Sequence, residues 1–234
     1  STLVFEPPLL LPVLNTLFIV VIGLVVVYVS VRSYLSSGLP ALLLLGCGAF
    51  TLGTGALVAG WLIREPGGAN VNVTIHNTAS LFASAFHFTS PALTYRGVAA
   101  EEMPRRRGLT ATLAYLGALI FIILLALASL QGATPPFFVQ GAGPTLIRQV
   151  VLGAGVILFA TSSVLFMGRY TEQKSMILYW YSLGLALFAV GLSAVFLQRA
   201  VGGPIGWVGR SAQFLGGTYF LISVLTAAGS EASP

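Results

Sequence analysis

Apolar residues run along this chain in long stretches separated by short polar clusters. Segments such as Leu17–Val29 and Leu116–Leu127 are apolar all round. A helix of that kind suits lipid, and the alternating pattern of a barrel strand is absent. A hydrocarbon core of about 30 Å needs about 20 apolar residues per helix. Seven stretches meet that length, near Leu11–Tyr34, Leu39–Ile63, Val71–Tyr95, Leu109–Gln131, Pro144–Met167, Lys174–Gln198 and Pro204–Ala228. They take up most of the chain as a single polytopic domain and leave no room for a soluble one.

The breaks between stretches carry turn residues. Pro7 and Pro8 precede the first, and Ser36-Ser37-Gly38 with Pro40 divides the first from the second. Pro66-Gly67-Gly68 divides the second from the third. Gly132 to Pro136 opens the longest loop, and Gly202-Gly203-Pro204 starts the seventh span. The opening segment lacks a basic flank, so a cleaved signal peptide is not expected.

Composition sharpens this. Of 234 residues, 7% are charged and 56% hydrophobic, whereas an average soluble protein has about 25% charged residues. Mean hydropathy is +0.94. So little charge cannot cover a water-facing surface. The expected fold is an all-α membrane protein, a seven-transmembrane-helix bundle.

The 11 basic residues set a direction. Arg32, Arg96, Arg105, Arg106, Arg107, Arg169 and Lys174 fall on one side, and Arg64, Arg148, Arg199 and Arg210 on the other. The positive-inside rule puts the Arg105–Arg107 cluster in the cytoplasm. The N-terminus is then outside, and the C-terminus cytoplasmic, in a multi-pass protein of the cytoplasmic membrane. The basic balance reflects lipid headgroups, and no nucleic-acid partner is expected.

Small residues indicate packing. Gly46, Gly53 and Gly60 recur every seven residues in span two, as do Gly48 and Gly55. The two series lie about 200° apart around the helix, so span two is expected between two neighbours. Gly184 and Gly191, with Gly209 and Gly216, make shorter seams in spans six and seven. Cys47 reads as a buried apolar residue, and the sequon at Asn72 as chance. Trp61 and Trp207 fit an outer aromatic belt, and Tyr170, Tyr179, Trp180 and Tyr181 an inner one.

Function must rest on few residues. The chain has no Asp, two His and one Cys. Span three places His76, Ser80, Ser84, His87 and Thr94 on one helix face, with the two histidines about 16 Å apart along the axis. Such a stripe belongs in the bundle interior or a wet cavity. Hydrogen bonding to neighbouring helices, ligand or pH sensing, and cofactor ligation are the three roles open to the histidines. Haem would need a single axial His, with His87 or His76 as the candidate and Met167 or Met176 opposite, and 16 Å is too far for both to share one metal ion.

The outer ends of the spans collect Arg64, Glu65, Asn70, Asn72, His76, Asn77, Arg148, Gln149, Gln198, Arg199, Arg210 and Gln213. Glu65 is the one acid there, so this mouth favours an anionic or carbonyl-rich ligand. Snorkelling to headgroups is the alternative for the arginines. A retinal lysine, a mid-span carboxylate for proton pumping, a nucleophile–base pair and a phosphate loop are all missing from the sequence.

The stretches Leu178–Ala186 and Gly206–Gly217, with Phe5-Glu6-Pro7-Pro8, Gly60-Trp61-Leu62 and Val73–Asn77, resemble a seven-helix module. It stands ahead of PAS and kinase domains in archaeal and bacterial sensor histidine kinases. The resemblance implies a sensory input domain in two-component signal transduction, with any kinase activity in a C-terminal region beyond this chain. The sequence ends at Gly229–Pro234, either as a truncated receptor or as a stand-alone relative. The expected partners are the bilayer, a small-molecule or lipid ligand, a cytoplasmic signalling domain, and a second copy in a homodimer. The expected ligand-binding residues are His76, Asn77, Ser80, Arg148, Trp207, Arg210 and Gln213. A haem- or quinone-binding redox subunit and a scaffold subunit of a membrane complex are the competing functions.

Overall fold

The computed structural model describes residues 7, 9–96, 104–139, 141–198 and 203–231, with the side chains of residues 94, 104, 105 and 227–231 outside that description. Seven helices account for nearly all of it. Helix α1 joins Leu10–Asn15, a π-helical stretch Thr16–Val21, and Ile22–Ser37. Then follow α2 (Pro40–Leu62), α3 (Gly68–Tyr95), α4 (Pro104–Leu130), α5 (Leu146–Gln173), α6 (Met176–Leu197) and α7 (Pro204–Glu231). A two-residue hairpin, β1 (Phe138–Val139) against β2 (Gly143–Pro144), lies in the α4–α5 loop.

Local chemistry sets the breaks. Gly38 takes a left-handed conformation, φ 74°, and its N–H closes α1 on the Tyr34 carbonyl. Pro40 then starts α2, where its missing N–H costs nothing. Lys174 ends α5 in the same left-handed way, with its N–H on the Tyr170 carbonyl. Helix α5 continues past the apolar run that ends at Met167. Its last turns are polar and held by Arg169, which pairs with Glu172 at 3.1 Å and lies 4.2 Å over the Tyr95 ring.

Among the described residues, five helices are long and apolar enough to cross a membrane: α1, α2, α4, α5 and α6. Helices α3 and α7 have the length but carry most of the polar side chains described below. Large apolar side chains such as Leu24, Leu116, Leu124, Val150, Ile157 and Val164 point outward. That outer surface is the lipid-facing one of a multi-pass membrane protein.

The helices do not share the interior equally. Six of them close a ring in the order α1, α2, α3, α5, α6, α7 and back to α1. Helix α4 stands outside the ring against α2, α3 and α1. Its apolar run is uniform, so the sequence holds no sign of this. The main core fills the ring with Ile19, Val26, Leu52, Leu152, Phe159, Phe188, Leu192 and Phe220.

Glycines let the backbones meet. In α2, Gly53 and Gly60 face α1 at Ile19, Val20, Pro12 and Asn15, and Gly46 meets Ser30 of α1 and Tyr115 of α4. On the opposite side Gly48 lies under His87 and Gly55 under Ala79, both on α3. Between α6 and α7, Gly191 meets Gly209 and Gly184 meets Gly216. A Cβ added at Gly209 would lie 2.8 Å from the Gly191 carbonyl oxygen, whereas one at Gly117 on α4 would meet nothing within 4 Å. Gly209→Ala is therefore expected to cost about 1–3 kcal/mol, as overpacking does. Gly117→Ala should leave stability unchanged or slightly raised. Thermal unfolding in detergent micelles compares the two.

Candidate functional site

Two of the polar residues at the predicted outer end do structural work. The Asn70 side-chain oxygen accepts the backbone N–H groups of Phe137 and Phe138, both at 2.9 Å, and so ties the α4–α5 loop onto α3. Asn72 donates its amide to the Ala59 carbonyl of α2 at 2.7 Å. Arg64 and Glu65 are exposed. Arg199 lies outside the described residues, as does the side chain of Thr94.

One turn deeper, five helices of the ring leave a cavity of about 50 Å3. Helix α1 contributes Leu11 and Asn15, α3 contributes Asn72, Val73, His76 and Asn77, and α5 contributes Arg148. Val195 and Gln198 come from the end of α6, and Arg210 and Gln213 from α7. His76, Asn77, Arg148, Arg210 and Gln213 are thus brought together from three separate helices. Among the described residues, no acidic side chain lines it.

Burial here is deep. Asn77 is 1% exposed, and Arg148 and Gln213 are 3% exposed. The Arg148 guanidinium donates to the carbonyls of Val195 at 2.8 Å and Gln198 at 3.5 Å, which clamps the end of α6 to α5. Its Nε has no acceptor, and neither do Nδ2 of Asn77 and Nε2 of Gln213. A buried N–H without an acceptor costs about 1–3 kcal/mol. Three of them around one cavity are buried donors that the protein itself leaves unsatisfied.

The other expected site residues lie elsewhere. Trp207 is not in the lining, and its ring lies 4.7 Å from the Arg210 guanidinium carbon, so it supports that arginine from the side. Ser80 is fully buried beyond the lining, further along α3. Asn15 is a lining residue that the sequence reading missed. With Thr16 it interrupts an apolar run in α1, and that interruption was the available signal.

His87 belongs to a second environment. Its Nδ1 shares a 2.8 Å hydrogen bond with the Tyr181 hydroxyl of α6. The rings of Phe159, Tyr181 and Phe220 surround it with centroids 5.7–5.8 Å away. Tyr181 is buried and stacked on Phe220 at 4.5 Å, so it does not serve in the inner aromatic belt. The free Nε2 of His87 faces Gly48, where an added Cβ would lie only 2.7 Å from it. With one nitrogen engaged and the other against a helix backbone, neither can reach an iron porphyrin. The residues around His87 therefore do not fit haem, and the group instead fastens α3 to α6. His76 and His87 share a face of α3 but not a site.

The family model of MASE3, described as a membrane-associated sensor domain, matches residues 6–228. The chain belongs to that family. No curated protein and no solved structure matches it. This MASE3 domain is thus a multi-pass membrane sensor module.

In the sensor domain, Tyr181→Phe leaves both ring nitrogens of His87 without a partner and should cost about 1–3 kcal/mol. Adding His87→Leu should recover part of that loss, because an apolar pair needs no hydrogen bond. A double-mutant comparison of unfolding midpoints measures the difference.

Proposed function

We propose that this MASE3 domain is a ligand-binding input domain. A small ligand enters the cavity beside His76, and its presence is passed through α6 and α7 to a cytoplasmic output domain of the histidine-kinase type. The observation that carries the reading is the set of buried donors without acceptors, contributed by α3, α5 and α7 to one cavity. A cavity of about 50 Å3 is far below the several hundred Å3 of an ordinary drug-sized pocket. The ligand in this reading is accordingly small, and a long lipophilic molecule would have to open the helices.

The route of the signal follows from the packing. Arg148 holds the carbonyls at the end of α6, so a ligand on Arg148 acts on the α5–α6 contact. Gln213 stands on α7, and its Cγ lies against Gly191 of α6. Helices α6 and α7 meet at two glycine pairs and by the Ser223 hydroxyl on the Ile177 carbonyl at 2.9 Å. A pair packed so closely moves together. Ligand binding changes output only as far as it favours one arrangement of that pair over the other.

The test uses a receptor in which this domain precedes its output domain. Gln213→Leu and His76→Ala are expected to shift or abolish the response of kinase output to stimulus, with the protein still in the membrane at normal level. Val150→Leu, on the outward face of α5, should leave the response unchanged. Unchanged responses in both cavity variants would remove the reading.

A further inference from the structure

We infer that the cavity is a site for a small planar oxyanion of the carboxylate class, three or four non-hydrogen atoms in size. The inference rests on the ligand-binding reading above and gives its ligand a chemistry.

Charge comes first. Two guanidinium groups, Arg148 and Arg210, line the cavity, and no carboxylate among the described residues lines it with them. Arg148 is almost wholly buried, and its two protein contacts are to neutral backbone carbonyls. A buried cation is costly without an opposite charge nearby. An anion in the cavity supplies that charge, whereas a cationic ligand would add to the cost.

Donor geometry comes next. The three unmatched groups are all N–H donors: Asn77 Nδ2, Arg148 Nε and Gln213 Nε2. They stand on α3, α5 and α7, so they approach the cavity from different sides. A ligand that accepts from all of them needs at least two oxygens bearing several lone pairs. A carboxylate, bicarbonate or nitrate has that form.

Size decides the rest. One water needs about 10–15 Å3 of such a cavity, so about 50 Å3 holds three or four water-sized groups. Formate, acetate, bicarbonate and nitrate fit that limit. The apolar wall of Leu11, Val73 and Val195 can take a methyl group.

The experiment follows thermal unfolding of the 234-residue chain in detergent, at constant ionic strength in a sodium gluconate background. Gluconate carries a carboxylate but is too large for the cavity. Formate, acetate, bicarbonate and nitrate are titrated in, with acetamide and urea as neutral counterparts and sodium decanoate as a carboxylate on an acyl chain. The expected result is a saturable rise of the midpoint with the small anions and none with the neutral pair. Gln213→Leu, which removes one charge-assisted hydrogen bond, should weaken the apparent affinity about tenfold or more. Acetate acting alone identifies a free small anion, and decanoate acting at lower concentration identifies the same head group on a lipid. Both results support the assignment. Equal stabilisation by acetamide and acetate, lost in Gln213→Leu, would overturn the anion but keep a ligand in the cavity. No effect of any probe, with kinase output untouched in the cavity variants, would overturn both this inference and the function it rests on.

Discussion

Hydrocarbon offers no hydrogen bonds, and that single constraint arranges this molecule. A polar side chain on a membrane helix must turn inward and find a partner in the protein, or remain costly. Most do so locally. Thr54, Thr161, Ser162, Thr218 and Thr226 each return their hydroxyl to a carbonyl of their own helix. Others join neighbours: Ser90 reaches the Ala41 carbonyl of α2, and Ser163 the Ser182 carbonyl of α6. Against that background the groups left without partners stand out. Several are scattered through the bundle, but those at the cavity are amide and guanidinium N–H donors, and they come with positive charge.

The same constraint explains how much was legible beforehand. Uniform apolar runs and their Gly and Pro breaks marked an all-α membrane protein, because lipid imposes that pattern on any helix it surrounds. The heptad glycines of α2 indicated a helix with two close neighbours, and the structure has α1 against one series and α3 against the other. The stripe on α3 indicated an inward face. Periodicity gives the direction of a residue around a helix, and it carries no information on what stands opposite. His76 and His87 share that direction, yet one meets a cavity and the other meets Tyr181 and two phenylalanine rings.

Three features follow from helix placement, which the chain does not spell out. Helix α4 lies outside the ring, and a helix apolar on every side gives no sign of where it stands. Asn15 joins the cavity because α1 runs past the ends of α6 and α7, a matter of helix placement. Trp207 supports Arg210 by stacking, whereas sequence alone reads an interfacial tryptophan as a belt residue or a ligand contact. Each depends on which helices are neighbours.

The position of α2 has a mechanical consequence. It touches α1 and α3 through glycines on opposite sides, and α4 buttresses it from outside. An added Cβ at Gly46, Gly48 or Gly55 would meet Tyr115, His87 or Ala79, so α2 admits no larger side chain there unless a neighbour shifts. Helices α1 to α4 thus form one set of mutually packed neighbours, and α5, α6 and α7 close the ring against α3 and α1. The cavity opens where those two sets meet, with Asn77 of α3 and Gln213 of α7 lining it from either side.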